Sequence, residues 1–96
     1  MVDKLKTKSM DMLMDGIVTI DNKEDAYKFF EDLCTVKELE AMAQRFEVAK
    51  LLRDGITYSA IEEETGASSA TISRVNRALN YGEDGYDVVI NKLTNK

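Results

Sequence analysis

Among the 96 residues of this chain, the stretch whose side chains could do chemistry is TGASSATISRVNRAL, residues 65–79. It carries Thr65, Ser68, Ser69, Thr71 and Ser73, then Arg74 and Arg77, with no carboxylate among them. Hydroxyls both donate and accept hydrogen bonds, and a guanidinium offers a planar fork of donors to an anion. That is binding chemistry, suited to a negatively charged, hydrogen-bonding surface. Bond-making chemistry has no comparable support. The chain has no histidine to serve as a general base, no glycine-rich phosphate loop and no nucleophile elbow. The acidic residues elsewhere recur at helical spacing and read as solvated faces, so an enzyme is not expected.

The remaining inventory narrows the class further. One cysteine, Cys34, cannot close an internal disulfide, and without histidine a zinc site of Cys/His spacing is excluded; no metal and no cofactor are expected. No apolar run approaches the ~18 residues needed to span a bilayer, and the N-terminus lacks a signal-peptide layout. A cytoplasmic protein with no membrane partner is expected. A chain of this length buries only roughly 60–65 % of its unfolded surface, which favours pairing with a second copy.

For residues 65–79 to face outward, they must ride on a helix that other elements hold. With Tyr58 as the first position of a helix-turn-helix, Gly66 falls at the ninth, where the turn requires a positive φ. Ile61, Ala67, Ile72 and Val75 then pack the two helices together. Ser69, Ala70, Thr71, Ser73, Asn76 and Arg77 are left outside. Two positions depart from the common pattern: Glu62 stands where alanine usually allows close packing, and Thr65 where leucine is frequent. An ordinary helical hairpin is the competing reading of the same residues.

The rest of the chain reads as all-α. Proline is absent, and the five glycines fall where helices can stop. A first helix is expected over about Lys4–Asp15, followed by an extended joint or buried anchor at Ile17–Ile20. Asp21 and Glu24 have capping-box spacing for a second helix, on which Ala26, Tyr27, Phe30, Leu33 and Cys34 form a stripe. Thr35 and Glu38 have the same spacing for a third helix, whose apolar face is Leu39, Met42, Ala43, Phe46, Ala49 and Leu52. Thr57 and Ser68 are placed to cap two short helices. The tail ends in a helix that buries Val88, Val89 and Leu93. One domain, 1–96, is expected, with N-terminal helices for dimerisation at 1–34, a long core helix at 35–55, the helix-turn-helix at 57–80 and a C-terminal helix at 84–94.

Over residues 34–82, the long helix ending LLRDG, the short helix opening at Thr57 and the run TGASSATISR resemble the Trp repressor family in order and spacing. The acidic N-terminus and the YGEDGYD continuation look more like its repressor-like YerC/YecD-type branch of small bacterial proteins. The resemblance implies a Trp repressor-like helical fold, an intertwined homodimer, and a transcriptional regulator, a repressor, that reads operator DNA. By the same resemblance Ser69, Ala70, Thr71 and Ser73 lie near base edges and Tyr58, Arg74 and Arg77 near the backbone, with Ser59 and Ser68 beside them. In the tryptophan-sensing members two arginines sandwich the indole near a threonine; Arg45, Arg74 and Thr35 match these. The glycine that leaves the indole slot open is Val75 here, and the serine three residues further on is Ala78. A β-branched side chain in that slot leaves no room for a ring, so L-tryptophan is not the expected ligand and no effector is assigned.

A formal net charge of -5 and a pI near 4.7 oppose, on average, double-stranded DNA as a partner. The charge is unevenly spread. Residues 1–33 carry a balance of -3 and residues 57–66, through Glu62, Glu63 and Glu64, another -3, whereas residues 67–82 carry +2. Charge on a distant face is screened over a Debye length of roughly 8 Å at physiological salt. A helical protein-interaction module with a vestigial helix-turn-helix is the alternative that the three glutamates favour; Arg77→Ala and Thr71→Ala separate the two by their effect on DNA binding.

Overall fold

The computed structural model describes residues 2–95, all helix and connecting turns, with no strand among them. The helices are α1 (Val2–Leu5), α2 (Lys8–Val18), α3 (Lys23–Leu33), α4 (Val36–Arg53), α5 (Tyr58–Thr65), α6 (Ser69–Tyr81) and α7 (Gly85–Thr94). The chain divides into two compact units, one up to Val36 and one from Lys37.

In the N-terminal unit the local hydrogen-bonding residues decide the breaks. The expected first helix is two, because the Thr7 side chain accepts from the Met10 N–H and restarts the helix. Gly16 does not end α2. The run Ile17–Ile20, expected to be an extended joint, instead finishes the helix: Ile17 and Val18 are its last residues, and Thr19 closes it by donating from Oγ1 to the Gly16 carbonyl at 2.7 Å. β-Branched residues pay only a small helical penalty, and a lone four-residue run has no strand to pair with. The next cap is Asn22, one residue past the expected Asp21; its Oδ1 accepts from the Asp25 N–H at 2.8 Å. Asn22 Nδ2 also donates to both Asp21 and Asp25, which fixes the amide. On α3 the expected stripe is revised. Ala26, Phe29 and Phe30 are half-buried, the two rings meeting edge to face at 5.4 Å, whereas Tyr27 and Leu33 are exposed.

The second unit holds a core of Val48, Ala49, Ile61, Ala67, Ile72, Val75 and Ile90, with Phe46, Leu51, Leu52, Leu79 and Tyr86 packed around it. It therefore draws on α4, α5, α6 and α7. On α4 the expected face is met at Phe46, Ala49 and Leu52, while Met42 and Ala43 are exposed and Val48 joins the core. The C-terminal helix buries Ile90, and leaves Val88, Val89 and Leu93, the expected anchors, exposed. It is held to α4 by Arg53, which pairs with Asp87 at 3.3 Å and donates to Asn91 Oδ1 at 2.8 Å. The Phe46 and Tyr86 rings add a contact with centroids 6.4 Å apart.

Candidate nucleic-acid interface

Helices α5 and α6 begin on hydroxyl caps. Thr57 Oγ1 accepts from the Ala60 N–H at 3.2 Å, and Ser68 Oγ accepts from the Thr71 N–H at 3.1 Å. Between them Gly66 takes φ +73°, ψ 5° and its N–H bonds back to the Glu62 carbonyl. A Cβ added there would meet no atom within 4 Å, so the need for glycine is conformational rather than steric. Ile61, Ala67, Ile72 and Val75, the four residues expected between the helices, are all buried. The pair is thus packed as a helix-turn-helix.

The two departures from the common pattern have local reasons. Glu62 is exposed and does not enter the packing. Thr65 replaces apolar packing with hydrogen bonds: its Oγ1 donates to the Ile61 carbonyl at 2.7 Å and accepts from the Ala67 N–H at 3.1 Å. Gln44, reaching from α4, donates to the Thr65 carbonyl at 3.2 Å. Sequence reasoning missed this brace; only the Thr65 hydroxyl four residues after Ile61 hinted at it. Thr65→Val keeps the shape and strips the Ala67 N–H of its partner. It is expected to lower stability by about 1–3 kcal/mol, read in urea as a lower midpoint at unchanged slope.

The outward residues follow from the helix period. With Ile72, Val75 and Leu79 turned inward, a rotation of about 100° per residue sets Ala70, Arg74 and Arg77 on the opposite side, and all three are exposed. Ser69 and Ser73 are exposed toward one flank, and Thr71 is half-buried at the other. Ser68 Oγ also donates to Thr71 Oγ1 at 3.1 Å, which leaves the Thr71 hydroxyl its own proton to give outward. On α5, Tyr58 and Ser59 are exposed at the N-terminal turn. Of the nine predicted contact residues, eight therefore lie on two consecutive helices of one unit and Ser68 caps the second of them.

The candidate ligand residues, apart from Arg74, lie on other parts of the chain. Arg45 and Arg74 are exposed on α4 and α6, and Thr35 is exposed just before α4, in the N-terminal unit. Val75 is 1 % exposed and belongs to the core. Among the described residues no group of His, Cys, Asp and Glu is arranged to hold a metal ion, and no helix is long and apolar enough to cross a membrane.

An all-α chain in which α5 and α6 pack as a helix-turn-helix, with no acid on α6, is, by class, a helix-turn-helix protein. The model of the family described as Trp repressor protein matches residues 8–94, and the chain belongs to that family. Its relatives include the "Uncharacterized protein YerC" of Bacillus subtilis (strain 168), 51 % identical over 92 residues, which cover 96 % of this chain and 88 % of that one. A crystal structure of a TrpR-like protein from Eubacterium eligens ATCC 27750 superposes with a TM-score of 0.91 at 55 % identity, over 95 % of this chain and 94 % of that one. A second, of a Staphylococcus aureus protein provisionally named a Trp repressor, gives 0.92 at 45 % identity, over 99 % and 95 %. The family consists of regulatory DNA-binding proteins and not of enzymes.

Proposed function

We propose that this protein is a cytoplasmic bacterial transcriptional regulator, a repressor, which binds operator DNA specifically as a homodimer. The observation that carries the reading is the outer face of α6: exposed Ala70, Ser73, Arg74 and Arg77, with no carboxylate anywhere on the helix. The N-terminal turn of α6 enters the major groove, where the short side chains of Ser69 and Ala70 let the backbone approach. Thr71 and Ser73 meet base edges, and Arg74, Arg77 and Tyr58 grip phosphates. Ser68 holds the helix start in place, and Ser59 lies beside Tyr58.

Two copies are needed because two arginines are a small cationic complement. A second copy doubles it and presents a second α6 about 34–36 Å away, one turn of the duplex. The N-terminal helices support pairing: α2 and α3 contain no fully buried residue, while Met12, Met14, Val18, Tyr27 and Leu33 are exposed. Apolar exposure on that scale marks an interaction face.

Selection from a random or genomic DNA pool tests the reading. Enriched sites should be near-palindromic, with half-sites one helical turn apart. Folded, dimeric protein that enriches nothing over random sequence contradicts it.

The site is not built for tryptophan. Val75, where the sensing members have glycine, is core, and Ala78 supplies no hydroxyl. L-Tryptophan at millimolar concentration is expected to produce no binding heat in calorimetry and no change in operator affinity; a tenfold tightening would reverse this view.

A further inference from the structure

We propose that the DNA-gripping surface extends one helical turn past Arg77 to Tyr81, whose phenol hydroxyl donates to a backbone phosphate; this rests on the reading of α6 as the groove helix. Tyr81 is the last residue of α6 and is 86 % exposed. It stands four residues after Arg77 and seven after Arg74, so Ala70, Arg74, Arg77 and Tyr81 lie along one line within an arc of about 60°. That line is about 16 Å long, eleven residues at 1.5 Å each. The major groove is only about 12 Å wide. If Ala70 stands over base edges, the far end of the line therefore meets the sugar–phosphate wall.

The end of the helix keeps that position open. A Cβ at Gly82 would come within 2.5 Å of the Ala78 carbonyl oxygen, so glycine lets the chain leave the helix by a path no other residue can follow without a shift. Past that exit come Glu83 and Asp84; the surface free of acids ends at the phenol itself. Tyr86, by contrast, is half-buried against Phe46. A ring at the end of this line can pack on a deoxyribose while its hydroxyl reaches a phosphate.

A neutral donor and a cation leave different signatures. Each arginine on a phosphate releases counterions and steepens the salt dependence of binding, whereas a phenol releases none. Tyr81→Phe and Arg77→Ala should be compared with the full-length chain on a site selected by the unmodified protein, with binding titrated across a salt series. Tyr81→Phe is expected to weaken binding about tenfold at every salt concentration with an unchanged slope, and Arg77→Ala to flatten the slope. If Arg77→Ala weakens binding but Tyr81→Phe binds as tightly as the unmodified chain, the proposal fails while the reading of α6 stands. If the unmodified protein selects no site, both fail. A Tyr81→Phe loss accompanied by a lower melting temperature or altered dimerisation makes the role structural and also overturns the proposal.

Discussion

Truncating both Arg74 and Arg77 to alanine is expected to reduce operator affinity at least a hundredfold and to flatten its salt dependence. The two are the only charged residues of α6, and both are exposed. A dimer of the double variant lacks four cations. Each phosphate contact contributes about 0.9 to the slope of log affinity against log salt, so the slope should fall by about three to four. The loss should be nearly equal on specific and random DNA, because phosphate contacts position the protein without reading sequence. Thr71→Ala and Ser73→Ala should behave in the opposite way, relaxing base preference while leaving the slope intact. Gel-shift or anisotropy titrations at several salt concentrations measure both quantities. An unchanged slope in the arginine variant would show that these side chains do not face phosphates. The fold should tolerate the change, since neither side chain is buried.

Ile72→Ala is expected to cost about 2–5 kcal/mol. Ile72 is fully buried in the core that joins α5 and α6 to α4 and α7, and its removal loses both transfer energy and packing against Ile61 and Val75. Small domains have only about 0.05–0.15 kcal/mol of stability per residue, so this one truncation consumes a large share. Thermal unfolding followed by circular dichroism should show a melting temperature lower by more than about 10 °C. Ser73→Ala, one residue along and exposed, should stay within about 0.5 kcal/mol. Equal melting of the two variants would mean that Ile72 is not a core residue. DNA binding should fall with stability in Ile72→Ala and be regained on cooling, which separates it from the arginine variant.

Acidity of the whole chain does not by itself exclude DNA, because charge acts locally once salt screens it. Glu62, Glu63 and Glu64 are all exposed on α5, and under the proposed function their repulsion would weaken binding to arbitrary sequence and place more of the discrimination on α6. The bulk charge of the first 33 residues lies beyond a Debye length only where the fold carries it away from the interface. Net charge alone therefore says little about a site of two helices.

The helix-turn-helix was legible in the primary structure because its determinants are local. Thr57 and Ser68 cap through a contact three residues away, Gly66 answers a demand of one dihedral, and Ile61, Ala67, Ile72 and Val75 follow the helical period. The family resemblance over residues 34–82 added fold and function to that pattern. Where local signals competed, reading failed: Asp21 and Asn22 both offer a cap, and four β-branched or hydroxyl residues after Gly16 can extend or continue a helix. Tertiary structure alone decided that Val48 and Ile90 are core, that α7 turns Ile90 rather than Val88 or Leu93 inward, and that Arg53 meets Asn91 across 38 residues of sequence. It also set Gln44 against the Thr65 carbonyl. Such contacts depend on which surfaces meet in space, and a helical period names the face a helix can bury but not the partner it is buried against.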